Sequence, residues 1–95
     1  MTELIETRRK RLLYKANYRG FREADLLIGG FAKAHLAGMG EAELDEFEAL
    51  LKLNDRDLFD WATGKREAPA NMAGPVFDRL CKFDIAGVIH GAAQD

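Results

Sequence analysis

Apolar residues recur at helical spacing from the start of the chain. In residues 3–16, side chains four or seven positions apart fall on one face, and arginines fan around the other side. The residues that this spacing brings together are Leu4, Ile5, Arg8, Leu12 and Ala16, with Leu13 beside them. The pattern predicts an amphipathic helix with a basic outer surface, which the stretch NYRG at 17–20 interrupts.

Four later segments show the same periodicity and predict four more helices, at residues 22–36, 41–53, 54–64 and 70–83. Their apolar positions are Leu26, Leu27, Phe31, Ala34 and His35; Leu44, Phe47, Leu50 and Leu51; Leu58, Phe59 and Trp61; and Met72, Val76, Phe77, Leu80 and Cys81. We therefore predict an all-α fold, a compact five-helix bundle that forms a single small domain over residues 1–83. The glycine-rich residues 84–95 have no such pattern and predict a flexible C-terminal tail.

Particular residues mark the predicted helix ends. Asn54 or Asp55 can cap the start of the fourth helix, Gly64 can end it, and the last helix is predicted to begin at Asn71. Two glycines at 29–30 lie inside the second helix, where each costs about 1 kcal/mol relative to alanine. They predict either a weakened helix or close packing against a neighbouring element.

The composition narrows the class of protein. The 95 residues are 47% hydrophobic and 32% charged, which is typical of one globular domain. No apolar stretch approaches the roughly 20 residues that cross a bilayer, so membrane insertion is not expected. The first residues lack the basic-then-apolar order of a signal peptide, and their glutamates argue against a mitochondrial transit peptide. These observations predict a cytoplasmic protein in preference to one of the mitochondrial matrix.

Residues that could carry redox or metal chemistry are few and isolated. Cys81 is the only cysteine, which excludes an internal disulfide and a cysteine-based metal cluster, and we expect a small buried hydrophobe there. His35 and His90 are too far apart in sequence to form a two-histidine helical pair. We therefore predict no metal site.

The charge is distributed unevenly. Residues 1–22 carry seven Lys or Arg against two Glu, whereas the remaining chain carries seven against fourteen Asp or Glu. The run RRKR at 8–11 could neutralise phosphates of a nucleic acid. The acidic pI of about 5.7 and the lack of a recognition module make nucleic acid an unlikely partner. Nucleic-acid binding stays open as the alternative function.

The stretch YRGFREADLL at 18–27 is the main candidate site. Glu23 and Asp25 are two apart, so on a helix they point in different directions and do not suit acid/base catalysis. A single Arg-Gly pair is not a phosphate-binding motif. A protein-contact surface remains, since Arg19 and Glu23 share one side of a helix start and Gly20 lets another backbone approach. The residues that would extend this patch are Tyr18, Arg8, Arg9 and Arg11.

Two motifs carry a resemblance to a known family. Arg19-Gly20-x-x-Glu23, followed by Asp25, and the run leading to Asp57-Leu58-Phe59-x-Trp61 resemble the succinate dehydrogenase assembly factor 2 family, which includes bacterial FAD assembly factors. The likeness covers about residues 4–83. It implies a five-helix, chaperone-like maturation factor that promotes covalent attachment of FAD to a histidine of the succinate dehydrogenase flavoprotein subunit. Fumarate reductase is implied as a further client of bacterial members.

The resemblance also implies a role for each residue of the first motif. Arg19, Gly20 and Glu23 would form the working contact, with Asp25 in support. Arg19 would reach carbonyls or carboxylates of the partner, and Glu23 would orient Arg19 or meet a basic partner group. Such a protein is not an enzyme and has no cofactor of its own, because the FAD belongs to the client flavoprotein.

Overall fold

The computed structural model describes residues 3–83, which form five α-helices and no strand. The helices are α1 (Ile5–Asn17), α2 (Arg22–His35), α3 (Glu41–Leu51), α4 (Asp55–Thr63) and α5 (Pro75–Lys82). Single turns of 3-10 helix at Leu36–Gly38 and Ala70–Met72 lie between them. The predicted all-α fold with five helices is confirmed. The predicted tail at 84–95, with His90, lies outside the described residues.

The ends of α4 are set by residues that the sequence identified. Asn54 is the N-cap, and its Oδ1 accepts hydrogen bonds from the backbone N–H groups of Arg56 (3.0 Å) and Asp57 (3.1 Å). Gly64 ends the helix in the left-handed conformation, with φ of 80°. The side chain of Asp55 is therefore not needed as a cap and is available for other contacts.

The start of α5 differs from the prediction. The helix begins at Pro75 and not at Asn71, because proline fits the first turn, where no N–H is needed, and disfavours helical backbone in the residue before it. The cap comes from a distant part of the chain. Glu46 in α3 accepts hydrogen bonds from the backbone N–H groups of Val76 (3.2 Å) and Phe77 (2.9 Å).

The core joins all five helices. The rings of Phe31 in α2 and Phe47 in α3 lie with their centroids 5.9 Å apart and are fully buried. The other side chains with at most 1% exposure are Leu12, Ala16, Ala24, Leu27, Ile28, Ala32, Met39, Leu44, Leu58, Val76 and Leu80. Burial of this apolar surface drives folding. No polar or charged residue is buried among residues 3–83.

One of the two adjacent glycines lies where α1 and α2 pack. Gly29 is buried, and a Cβ placed on it would come within 2.4 Å of Asn17 Oδ1 and 3.4 Å of the Ala16 carbonyl oxygen. The close packing predicted as one explanation for the glycine pair is confirmed at this position. The approach of the two helices fixes the turn between them, residues 18–21.

Three residues that were predicted to face the core are exposed: Leu4, Ala34 and Cys81. Successive helical residues are rotated by about 100°, so a residue at the edge of an apolar stripe can turn to solvent. Ala34 follows the buried Phe31 and Ala32, and Cys81 follows the buried Leu80. Leu4 precedes the first turn of α1. His35 and Trp61, which lie in the same predicted stripes, are partly buried, and Trp61 packs against the core.

Candidate functional site

The turn between α1 and α2 is held by the side chain of Arg19. Its Nη2 lies 2.7 Å from Asp55 Oδ1 and its Nε lies 2.9 Å from the same oxygen. The guanidinium also donates to the carbonyl oxygens of Leu51 (2.6 Å) and Lys15 (3.0 Å). Only 10% of this side chain is exposed. Arg19 therefore ties together α1, α3 and α4, and we call Arg19 with Asp55 the clasp.

Asp25 holds the backbone of the same turn. Its Oδ1 accepts a short hydrogen bond from the Arg19 N–H. Asp25 lies in the first turn of α2, where the helix dipole favours a carboxylate. Within the chain, Asp25 thus fixes the position of the Arg19 backbone.

Gly20 is exposed beside the clasp. A Cβ built on Gly20 would lie 2.9 Å from Asp55 Oδ2, closer than such contacts normally come. Its φ is not positive, so a side chain at this position would be disfavoured by lack of space and not by the backbone conformation. The close neighbour of Gly20 is therefore this chain's own Asp55, whose other oxygen meets Arg19.

Phe21 fixes the far end of the turn. Its ring meets the Phe59 ring edge-on, with centroids 5.2 Å apart, and the Arg56 guanidinium lies over the Phe21 ring, 4.1 Å from its centroid. Phe59 belongs to the second motif of the sequence, and Leu58 of the same motif is buried in the core. The two motifs are therefore physically joined, because one of them supports the turn that the other forms.

Of the two roles predicted for Glu23, orienting Arg19 or meeting a basic group of the partner, only the first can be compared with the contacts in residues 3–83. Glu23 is exposed in the first turn of α2 and makes no hydrogen bond or ion pair with any side chain in residues 3–83. The orienting role expected of Glu23 belongs instead to Asp55 and to the carbonyl oxygens of Lys15 and Leu51. Glu23 faces outward, where its carboxylate can meet a partner.

The arginines of the first helix form a second cluster, which joins α1 to α3. Arg8 Nη2 lies 2.6 Å from Asp45 Oδ1 and 2.9 Å from Glu48 Oε1. Arg11 Nη1 lies 3.0 Å from Glu48 Oε2, and its Nη2 lies 2.8 Å from Glu3 Oε1. No hydrogen bond links this cluster to the turn within residues 3–83.

Arg9 is also used inside the chain, since its Nη2 donates to the Met39 carbonyl oxygen at 2.7 Å. Three of the four cations in the run RRKR thus have intramolecular partners. A nucleic acid would have to compete with carboxylates already in place. This arrangement disfavours the alternative in which the run binds phosphates.

Glu48 is the most perturbed carboxyl group of this cluster. The hydrogen bond from Arg11, and then the one from Arg8, lower the pKa of Glu48 from 4.5 to about 2. Hydrogen bonds to Asp45 and Glu48 raise the pKa of the Arg8 guanidinium, and hydrogen bonds to Glu3 and Glu48 raise the pKa of the Arg11 guanidinium. The ionised form of Glu48 is therefore bound more strongly in the folded state than in the unfolded chain.

Glu48→Gln is expected to lower the free energy of unfolding by about 1 kcal/mol at pH 7, a magnitude set by the partial exposure of the pair. The folded-state pKa is depressed, so the wild-type advantage is full above pH 4.5 and is lost as the pH falls towards about 2. Urea denaturation at pH 7, 4 and 2.5 would measure this. Glu67→Gln, at an exposed position, is the control and should leave the pH dependence of the unfolding free energy as in the wild type. If the difference in unfolding free energy between the wild type and Glu48→Gln is the same at all three pH values, the linkage to the Glu48 pKa is refuted.

Asp55 is the site residue that the sequence did not identify as such. It was considered only as a possible helix cap. Asn54 and Asp55 are adjacent candidates for the same role, and a helix start uses one N-cap. One of the two side chains was therefore free for another role, which was the only indication in the sequence of a function for Asp55. Nothing in the sequence showed that its carboxylate would meet Arg19.

The described part of the chain contains no metal site, no membrane-spanning helix and no activated cysteine. Within residues 3–83 no three His, Cys, Asp or Glu side chains are grouped to hold a metal ion. None of the helices there is long and apolar enough to cross a membrane. Partial burial and the nearby Asp78 raise the pKa of the Cys81 thiol, which favours the unreactive protonated form.

Comparisons with known proteins support the family resemblance that the two sequence motifs indicated. A family model described as "flavinator of succinate dehydrogenase" matches residues 10–84. The FAD assembly factor SdhE of Acetobacter pasteurianus is 40% identical over 76 residues, which cover 80% of this chain and 70% of that protein.

Mitochondrial proteins named succinate dehydrogenase assembly factor 2 are also similar. The one from Mycosarcoma maydis is 44% identical over 85 residues, covering 83% of this chain and 36% of that protein. The one from Meyerozyma guilliermondii is 44% identical over 93 residues, covering 98% of this chain and 65% of that protein. The chain thus spans about a third to two thirds of these mitochondrial relatives.

Proposed function

This chain belongs to the family described as flavinators of succinate dehydrogenase, and we propose that it promotes covalent attachment of FAD to the flavoprotein subunit of that enzyme. We further propose the flavoprotein of fumarate reductase as a second client. The proposed mode of action is binding and not catalysis. On this proposal the chain has no cofactor of its own, and FAD is bound by the client.

The observation that supports a docking function is the clasp beneath an exposed turn. Arg19 and Asp55 hold the turn from three helices, while Gly20 at its surface has no side chain. A surface that is ordered before binding loses less conformational entropy when a partner docks. The same residues lie in the segment that the family model matches.

We assign the contact to the exposed residues of this region. Tyr18, Gly20 and Glu23 would touch the flavoprotein, and Arg19 and Asp25 would position the turn from beneath. Arg8, Arg9 and Arg11 were predicted to flank the contact. Their intramolecular bonds give them a role in holding α1 in place, and a flanking contact by them stays a prediction.

The proposed mechanism needs only selective binding. If the immature flavoprotein exchanges between conformations, a factor that binds the flavinylation-competent one more tightly increases its population. The bond to FAD then forms within the flavoprotein, between its own histidine and the flavin. We propose the bacterial cytoplasm as the compartment; the relatives include both a bacterial protein and proteins named mitochondrial.

Covalent flavin in the succinate dehydrogenase flavoprotein subunit tests this function. Cells with and without the gene are compared by the flavin fluorescence of the denatured subunit, at equal amounts of the subunit. We expect the fluorescent band to dim without the gene and to return with the wild-type gene. Equally bright bands in both would refute a necessary role in flavinylation.

A further inference from the structure

A pair of exposed tyrosines lies beside the turn. Tyr14 is 66% exposed and Tyr18 is 68% exposed, and their ring centroids are 4.6 Å apart. Of the residues described, only Leu4 is a comparably exposed large apolar side chain. Exposed aromatic rings in contact with each other are typical of protein-binding surfaces, where tyrosine contributes much of the binding energy.

The tyrosines line a shallow hollow of ≈ 520 Å³, a volume in the range of small-ligand sites. Its lining residues are Lys10, Leu13, Tyr14, Asn17, Tyr18 and Lys33. Two of them are exposed lysines and none is a carboxylate, in a chain whose net charge is −2. The hollow is therefore a local basic surface with an aromatic wall.

We propose that this hollow binds an acidic segment of the partner protein. Carboxylates of the segment would pair with Lys10 and Lys33, and its apolar or backbone groups would pack on the tyrosine rings. Charge complementarity of this kind steers association and fixes orientation. Nothing else in the lining would neutralise the two lysines, since its other residues are uncharged.

The hollow suits a protein segment better than a nucleic acid. The arginines on either side of Lys10 are already engaged, Arg9 with the Met39 carbonyl and Arg11 with Glu3 and Glu48. Lys10 and Lys33 form no ion pair within residues 3–83, but two such lysines are few for a surface that binds nucleic acid mainly through phosphate neutralisation.

The hollow is continuous with the turn at residues 18–21, because Tyr18 lines the hollow and is also the first residue of the turn, directly before Arg19. An acidic segment in the hollow would thus add a second point of attachment next to the first. Two linked contacts bind more tightly than either alone and define one orientation. This inference rests on the proposed function insofar as the acidic segment belongs to the succinate dehydrogenase flavoprotein subunit.

The test measures binding of the full chain to the purified flavoprotein subunit at low and high salt. Lys10→Glu/Lys33→Glu is expected to weaken the complex at least about tenfold and to flatten its salt dependence. Tyr14→Ala should weaken it about tenfold without changing the salt dependence. Lys65→Glu/Lys82→Glu makes the same change in charge on exposed residues outside the hollow and should stay within about twofold of wild type.

The outcomes separate this inference from the proposed function. If the wild type binds and Gly20→Leu does not, but the charge reversal in the hollow behaves like its control, the hollow is refuted and the docking turn stands. If the wild type itself does not bind, both are refuted. If the reversal abolishes binding of a short single-stranded oligonucleotide and leaves the flavoprotein complex unchanged, the partner of the hollow is nucleic acid and the inference is wrong.

Discussion

Replacing Gly20 by leucine is expected to abolish flavinylation of the client, with covalent flavin falling to the level of cells that lack the gene. A side chain at this position begins with a Cβ 2.9 Å from Asp55 Oδ2, so we expect the carboxylate that pairs with Arg19 to shift. The leucine also covers the backbone that a partner would approach. The measurement is flavin fluorescence of the denatured flavoprotein subunit, with the variant expressed at the wild-type level.

Gly38 offers a matched control for this substitution. It is exposed, and a Cβ there meets no atom within 4 Å. Gly38→Leu should support wild-type flavinylation, and thermal unfolding should show that both variants are folded. If folded Gly20→Leu restores the flavin signal as well as Gly38→Leu does, the turn is not the docking surface.

The fold could be predicted from the sequence because each helix is determined mainly by residues within that helix. Each helix has an apolar stripe, and Asn54 and Gly64 mark the ends of α4 by their own side-chain and backbone properties. The start of α5 could not be predicted to the residue. It depends on Glu46, which lies about thirty positions earlier and reaches the helix only in the folded state.

The candidate site was located from the sequence, but the role of its arginine was not. The spacing of Arg19 and Glu23 predicted that the two share one side of a helix start, and the family resemblance implied that Glu23 orients Arg19 or meets a basic group of the partner. In the structure Arg19 precedes the helix, and its side chain turns inward to Asp55, which is 36 positions away. A contact between such distant residues depends on the packing of α1 against the other helices, which periodicity alone does not specify.

The clasp makes a second strong prediction: Arg19→Ala is expected to lower the free energy of unfolding by about 2 to 3 kcal/mol. The loss follows because the Leu51 carbonyl and the Asp55 carboxylate lose their donor in a partly buried place. Flavinylation should also fall about tenfold or more, as the turn loses its support. Urea denaturation and the flavin assay measure the two effects separately.

Asp55→Ala decides whether Arg19 positions the turn or touches the partner. If Arg19 acts through the clasp, then Asp55→Ala should reproduce most of the flavinylation defect, and Arg19→Ala/Asp55→Ala should be little worse than Arg19→Ala alone. Arg19→Lys should restore little flavinylation. A single ammonium group cannot replace the guanidinium N–H donors, which reach the Asp55 carboxylate and two carbonyl oxygens. If Asp55→Ala retains full flavinylation while Arg19→Ala loses it, the guanidinium must leave Asp55 and bind the flavoprotein directly.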